Sequence, residues 1–389
     1  MLTAEENELI TRIGPGTPAG EVLRRYWHPI SLARDVTDEQ PTKFVRILGE
    51  DLVIFRDKSG RTGLIADKCA HRSASLVYGR VEERGISCAY HGWLYDCDGN
   101  ILETPPERND AIMKSVKIKS YPVEIYLGLI WAYMGPAPAP LRPHYDTTHR
   151  KDGRRQIRIH AALDCNWFQA MENSMDPAHL QVLHQEFIAG SREGRKPPST
   201  TRGYTDDVES YEFYLTDYGL MKKRTYKNGM LDEHPVIFPN ILRQGASTQY
   251  RVPIDDRHTW HIRMFFYPTE DGSEPEDAFE PEVVYDPPNK DSADKIHPFA
   301  HYTMNSVNEQ DQMAWETQGP ITDRSVEHLS YSDRGVVLLR RVMREQIEKV
   351  RNGEDPMGTY RDPDHPMINT NVTEGVRQIG VNTAPPARR

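Results

Sequence analysis

The sequence of 389 residues has few cysteines, no long apolar run and no excess of positive charge. Of the four cysteines, we expect Cys97 and Cys165 to remain thiols in a reduced, cytoplasmic protein. The formal net charge of -10 at pH 7 argues against a nucleic-acid-binding surface. The longest strongly apolar stretch, residues 127–134, is far shorter than a membrane span of ~20 residues. Residues 1–9 do not have the pattern of a secretory signal.

Two of the four cysteines lie in two short segments that each pair a thiol with an imidazole. The first segment contains Cys69 and His71, the second contains Cys88 and His91, and the sixteen residues 72–87 separate them. Thiolates and imidazoles suit iron-sulfur clusters and zinc alike, so the residue types alone do not name the metal. A two-Cys, two-His zinc finger keeps its cysteines in one arm and its histidines in the other, whereas here each arm is mixed. A two-iron, two-sulfur Rieske centre needs that mixture, because two cysteines hold one iron and two histidines hold the other.

The two arms resemble the Rieske motif, and the pair Gly92 and Trp93 directly after the second arm strengthens the resemblance. A zinc ribbon and four unrelated core residues are the alternatives. The remaining cysteines, Cys97 and Cys165, are interpreted as small buried hydrophobic residues.

Pattern changes along the chain predict an α+β protein with two main domains. From residue 43 short β-type runs alternate with turns, which predicts a small antiparallel sheet carrying the two arms as loops. The proline-rich segment 135–140 predicts a stiff linker. Beyond it, strand and hairpin patterns are followed by two closing helices. The predicted units are a helical N-terminal segment 1–40, a β domain 41–145, a second domain 146–352 and a tail 353–389.

A second group of metal-capable side chains lies in the helical pattern of residues 172–184. Asp176 and His179 are three residues apart and share a helix face. His179 and His184 are five residues apart, which at ~100° per residue places them about 140° apart around a helix. Because an undistorted helix would not aim both imidazoles at one point, we predict a break, with Pro177 in the first turn of a new helix or a local bulge.

Two imidazoles and one carboxylate on one face of an iron form the facial triad of non-haem iron(II) oxygenases, which leaves positions open for dioxygen and substrate. The candidate for the carboxylate is Asp311, which lies among apolar residues of the segment 304–315. Burying this side chain would be costly unless its charge met a metal. A solvated helix face fits the neighbouring Glu309 and Glu316 better.

Taken together, these motifs resemble the α subunits of Rieske non-haem iron aromatic-ring-hydroxylating oxygenases. The resemblance implies an N-terminal all-β Rieske [2Fe-2S] domain and a C-terminal catalytic domain, an antiparallel sheet with helices of the helix-grip type. The implied cluster ligands are Cys69, His71, Cys88 and His91. The implied ligands of a mononuclear Fe(2+) are His179, His184 and Asp311. Asp176 would then lie between the two centres and not on the iron.

The resemblance also implies an assembly. Family members form head-to-tail homotrimers, some of them stacked, because the two centres of one chain are too far apart for electron transfer. Asp176 of one subunit would be hydrogen-bonded to His71 or His91 of the next, which makes it the inter-subunit electron bridge. Residues 318–333, together with the pair 310–311, are similar to the phthalate dioxygenase-like subgroup, which has no β subunit.

The expected reaction is hydroxylation of a small aromatic substrate, an aromatic carboxylate, by O2, either as dihydroxylation or as monooxygenation. No Gly-x-Gly-x-x-Gly motif is present, so a separate reductase is expected to take electrons from NAD(P)H and pass them to the cluster. O-demethylation of a methoxylated aromatic acid is the first alternative. A Rieske electron-transfer protein without catalysis and a zinc-stabilised binding module are the others.

An arginine is expected to meet a substrate carboxylate, because a guanidinium group matches a carboxylate bidentately. Arg243, in an apolar strand-like setting, is the first candidate. Structural pairing is the better interpretation for Arg224 and Arg251.

Metal analysis separates these interpretations. A Rieske oxygenase is expected to be brown-red and to contain about three irons per chain with acid-labile sulfide. A zinc-stabilised module would be colourless. Iron, zinc and sulfide determination on the purified chain measures the difference, and zinc in place of iron would contradict the Rieske interpretation.

Overall fold

The computed structural model of the protein describes residues 1–184, 207–290 and 302–371. Its N-terminal part is built from three small antiparallel sheets, with strand orders β1-β10-β9, β2-β3-β4 and β5-β6-β7-β8. The strands are β1 (Trp27–Leu32), β2 (Thr42–Ile47), β3 (Glu50–Arg56), β4 (Thr62–Ala66), β5 (Arg80–Glu82), β6 (Gly85–Ser87), β7 (Leu94–Tyr95), β8 (Ile101–Glu103), β9 (Val123–Tyr126) and β10 (Leu129–Tyr133). A short helix, α3 (Ala111–Ser115), follows β8.

The first forty residues belong to both halves of the fold. Helices α1 (Ala4–Thr11) and α2 (Pro18–Leu23) share one hydrophobic core with the C-terminal helix, while β1 pairs with β10 in an antiparallel sheet. The predicted helical segment 1–40 therefore also supplies a strand. The domain boundaries at residues 40, 145 and 352 stay a prediction.

The second half of the chain is dominated by one eight-stranded sheet. Its strand order is β12-β13-β14-β15-β16-β17-β11-β18, and every described pairing is antiparallel except the parallel pair β11 and β18. The strands are β11 (Gly153–Ile159), β12 (Val208–Thr216), β13 (Gly219–Tyr226), β14 (Leu231–Ile237), β15 (Ile241–Gln244), β16 (Ser247–Pro253), β17 (Thr259–Pro268) and β18 (Glu282–Tyr285).

Helices pack around this sheet. They are α4 (Asp146–His149), α5 (Trp167–Met175), α6 (His179–Leu183), α7 (Val307–Thr317) and α8 (Arg334–Arg351). Helix α8 buries one apolar stripe, formed by Val336, Leu339, Met343, Ile347 and Val350. The predicted α+β class, with a β-rich N-terminal part and an antiparallel sheet with helices after it, is confirmed. No helix in the described ranges is long and apolar enough to cross a bilayer.

The start of the tail lies against the rest of the fold. Leu141 bonds through its backbone N–H to the carbonyl oxygen of Tyr360, and Thr370 bonds to the carboxylate of Asp146 in α4. Residues 372–389 lie outside the described residues.

A buried ion network fixes the position of helix α5. The carboxylate of Glu172 accepts hydrogen bonds from Arg324 at 2.6 Å and from Arg340 of α8 at 2.6 Å. Arg324 is fully buried and also donates to Asn7 Oδ1 of α1, at 2.9 Å. The network joins α5 to helices near both ends of the chain. Glu172 lies in the sequence just before the second set of metal-capable residues.

Candidate metal centres

The two Cys-His arms are loops with the same backbone hydrogen bonds. In the first, Cys69 O accepts from the N–H of Ser73 at 2.9 Å; in the second, Cys88 O accepts from the N–H of Gly92 at 2.8 Å. Both closing residues have positive φ, 60° at Ser73 and 74° at Gly92, a backbone conformation that glycine adopts without strain. Each arm is therefore a tight loop closed by the same backbone hydrogen bond.

The loops bring the like donors together. Cys69 and Cys88 are buried at 3% exposure each and interact with one another, so burial and the neighbouring Cys69 raise the pKa of the Cys88 thiol. The rings of His71 and His91 lie 4.5 Å apart between centroids. His71 is stacked on Trp93, and its Nδ1 is buried without a hydrogen-bond partner, which suits a nitrogen that binds a metal.

This arrangement fits a two-iron cluster better than one zinc ion. A single zinc draws its donor atoms to within about 2.0–2.3 Å of one point. In the described ranges, one group of three residues has donor atoms that all lie within 4.8 Å of one another, as a single metal ion requires. None of the four arm residues belongs to that group. A thiol pair and an imidazole pair that stay separate match a cluster with one iron held by each pair.

The second constellation forms that three-residue group, which consists of His179, His184 and Asp311. The Asp311 Oδ1 atom lies 3.2 Å from His184 Nε2 and 3.7 Å from His179 Nε2. Burial would raise the pKa of Asp311, but the hydrogen bond and charge of His184, together with His179 and Arg251, lower it below its usual value. A charged carboxylate beside two imidazoles can hold a divalent metal on one side.

The predicted helix break is present, but it does not by itself bring the histidines together. Helix α5 ends at Met175, Asp176 is extended, and Pro177 lies just before α6, not in its first turn. The two imidazoles converge because α6 has only five residues and His184 has left the helical path, with φ -100° and ψ 20°. Arg224 stabilises the break by donating to the carbonyl oxygen of Pro177 at 2.7 Å.

Neighbouring side chains orient the triad, and sequence reasoning assigned them no such role. His184 Nδ1 donates to Gln310 Oε1 at 2.7 Å, which leaves Nε2 free to face a metal. Asn173 Nδ2 lies 3.5 Å from Asp311 Oδ1. His179 Nδ1 lies 3.3 Å from the carboxylate of Asp176, whose side chain is 26% exposed. The position of Gln310 directly before Asp311 was the available signal in the sequence.

The triad opens into a large cavity of about 1610 Å³ between the helices and one face of the eight-stranded sheet. Leu242 and Gln244 of β15 line this cavity. Arg243 lies between them and points to the opposite face, where it pairs with Asp146 at 3.3 Å and donates to Thr370. The interpretation of Arg243 as a substrate contact is therefore not supported, because alternation along the strand turns it away from the cavity.

Comparison with known proteins identifies the family. Residues 26–122 match the Rieske [2Fe-2S] domain, and residues 292–378 match the LigXa C-terminal domain-like family. The chain is 39% identical to the 5,5'-dehydrodivanillate O-demethylase oxygenase subunit of Sphingobium sp. strain SYK-6, over 93% of this chain and 84% of that protein. The chain belongs to the Rieske non-haem iron oxygenases.

Other relatives agree with this assignment. The oxygenase is 32% identical to the phthalate 4,5-dioxygenase oxygenase subunit of Pseudomonas putida, over 92% of this chain and 89% of that protein. The terminal oxygenase of carbazole 1,9a-dioxygenase from Nocardioides aromaticivorans IC177 shares its fold, with a TM-score of 0.62 at 18% identity, over 89% of this chain and 98% of that one.

The predicted family, fold and enzyme class are thus confirmed. The matched Rieske [2Fe-2S] domain contains both arms, and the chain is an oxygenase subunit, an oxidoreductase with an iron-sulfur cluster. The zinc module and the electron carrier without catalysis are excluded as descriptions of the whole chain.

The hydrogen bond from His184 to Gln310 gives a testable prediction. Gln310→Leu removes the acceptor that fixes the His184 ring, so the affinity of the mononuclear site for Fe(2+) is expected to fall about 10- to 100-fold. Competition with a ferrous chelator measures this affinity. The control is Gln318→Leu on the exposed end of α7, where the side chain interacts with Thr322. Equal ferrous affinity in wild type and Gln310→Leu would show that the contact does not tune the site.

Proposed function

We propose that this chain is the terminal oxygenase of a system that uses O2 and reductase-supplied electrons to hydroxylate a small aromatic acid. The proposal depends on one observation: two imidazoles and one carboxylate converge in the lining of a large cavity. The same chain also contains a Rieske domain. Three protein donors leave coordination positions free on the cavity side. An oxygenase needs such positions and an electron carrier does not.

The residues divide into two sets of ligands. Cys69 and Cys88 would hold one iron of the cluster, and His71 and His91 would hold the other. His179, His184 and Asp311 would hold Fe(2+). When bound, the cluster supplies single electrons and the Fe(2+) supplies the dioxygen chemistry. The chain itself orients the ligands, through Gln310 at His184, and encloses the substrate beside them.

Two relatives and the cavity support this substrate class. Relatives with 39% and 32% identity are named for dehydrodivanillate and phthalate, both of them aromatic acids. The cavity volume accommodates an aromatic ring with substituents.

O-demethylation is a second candidate, favoured by the 39% identity to an O-demethylase. In that reaction the methoxyl carbon is oxidised. One O2, two electrons and two protons convert the aryl methyl ether into a phenol, formaldehyde and water.

A separate NAD(P)H-dependent reductase is the expected electron source. The two imidazoles of the cluster arms are half-buried, and Tyr90 beside them is 57% exposed, so the cluster end of the domain lies at the surface. The partly exposed Asp176 beside His179 is suited to bridge to the cluster of a neighbouring subunit. This supports a head-to-tail homotrimer. We propose that the trimers, alone or stacked, work in the cytoplasm.

Turnover of a panel of aromatic acids tests the proposal. The oxygenase, loaded with both centres and supplied by a surrogate reductase, is expected to oxidise phthalate, benzoate, 3,4-dimethoxybenzoate or vanillate. Mass spectrometry separates oxygen insertion from loss of a methyl group, and formaldehyde release identifies the second outcome. His179→Ala is expected to abolish product while the cluster absorbance stays. Absence of product from every acid, with both centres loaded, would contradict the proposal.

Mixed trimers test the proposed electron route. His179→Ala removes the Fe(2+) site from one chain, and Cys88→Ala removes the cluster from another, so neither variant alone is expected to be active. In randomly mixed trimers, half of the chains have a cluster and half of their neighbours have iron. About one quarter of wild-type activity is therefore expected if electrons cross between subunits. Mixed trimers without activity would contradict transfer between subunits.

A further inference from the structure

A buried lysine faces the catalytic cavity. Lys222 lies on β13, only 8% exposed, and lines the same cavity as His179, His184 and Asp311. Its neighbour Lys223 points to the other face of the strand and pairs with Glu212 at 3.2 Å. One of two adjacent lysines is thus placed inside the protein.

The other cationic side chains that line the cavity are already occupied. Arg154 pairs with Asp277, Arg155 donates to the carbonyl oxygen of Thr147, and Arg158 and Arg263 share Asp286. Within residues 1–184, 207–290 and 302–371, no hydrogen bond or ion pair joins the ammonium group of Lys222 to another group.

An ammonium group without a protein partner in a side chain that is 8% exposed is costly, because burial removes part of its hydration. Burial lowers the pKa of Lys222 to about 8, and Arg224 acts in the same direction, while Asp176, Asp232 and Asp311 oppose both. If Lys222 only filled space, an apolar side chain of similar volume would give a more stable fold. Since the described residues supply no partner, we expect one to reach the ammonium group through the cavity.

We propose that the Lys222 ammonium pairs with an anionic oxygen of the aromatic substrate, a carboxylate or a ring phenolate, and so orients the ring beside the mononuclear site. This inference rests on the proposed function. It transfers to Lys222 the role that the sequence suggested for Arg243, whose guanidinium group is engaged on the opposite face of the sheet.

The test uses the loaded oxygenase and four probes that share one ring. Vanillate has both a carboxylate and a phenolic oxygen, 3,4-dimethoxybenzoate has only the carboxylate, 2-methoxyphenol has only the phenolic oxygen, and 1,2-dimethoxybenzene has neither. The variants are Lys222→Met, Lys222→Arg and the control Lys223→Met, which removes the same charge from the other face of β13. Calorimetric Kd values and product formed per O2 consumed are measured for each pair.

Loss of one charged contact is expected to raise the Kd of the recognised probes about 10- to 100-fold in Lys222→Met. Binding of 1,2-dimethoxybenzene stays unchanged, Lys222→Arg recovers part of the affinity, and Lys223→Met behaves as wild type. A loss for vanillate and 3,4-dimethoxybenzoate identifies the carboxylate, and a loss for vanillate and 2-methoxyphenol identifies the phenolate. The thermal unfolding midpoint of Lys222→Met is expected to be equal or higher, because an unpaired buried charge has been removed.

Two results would overturn the inference while leaving the proposed function intact. One is unchanged Kd values for acids that the wild type oxidises. The other is an equal loss of affinity for all four probes, which indicates a structural role for Lys222. If the loaded wild type oxidises no aromatic acid in either panel, the proposed function fails, and the pairing fails with it.

Discussion

The catalytic half of the molecule depends on bringing two imidazoles, five residues apart, to one point. A continuous helix would keep them ~140° apart. The chain solves this with a helix of five residues that ends before His184, and with Asp311 placed between the two rings from another helix. The backbone leaves the helical path at Asp176, before α6, and at His184, after it. Arg224 satisfies the carbonyl of Pro177 that the break exposes.

This local geometry needs a fixed support, which the buried network of Glu172 supplies. Its carboxylate is shared by Arg324 and Arg340, so every charge in the network has a partner. A paired buried network favours one arrangement of the elements it joins. Helix α5 therefore has one position relative to α8 and the N-terminal helix. The segment with His179 and His184 follows α5 directly, so the position of α5 also fixes where this segment begins.

Spacing and residue type were enough to predict which side chains the structure brings together at the two candidate metal centres. In the mixed Cys-His arms, in the Asp176 to His184 pattern and at Asp311, the residue types and their spacing along the chain already indicate metal binding.

The orientation of strand residues was not predictable in the same way. Arg243 was assigned to the cavity because its neighbours are apolar, yet a shift of one residue moves a side chain to the other face of a sheet. Lys222 was missed because the run from Gly219 to Tyr226 has no clear alternation of polar and apolar residues, so the sequence does not show which lysine faces inward. Gln310 was overlooked as an orienting residue because a hydrogen bond from a histidine 126 positions away is set by tertiary packing.

The contact between Tyr95 and the first arm has a consequence for energetics. The Tyr95 hydroxyl lies 3.1 Å from Cys69 Sγ and 3.0 Å from the N–H of Ala70, and burial beside Cys69 raises the pKa of Tyr95 so that it remains a donor. A hydrogen bond to a ligating sulfur withdraws electron density and raises the reduction potential of an iron-sulfur centre. With a cluster held by Cys69, the Tyr95 side chain would make this centre easier to reduce and would leave less driving force when the centre passes its electron on.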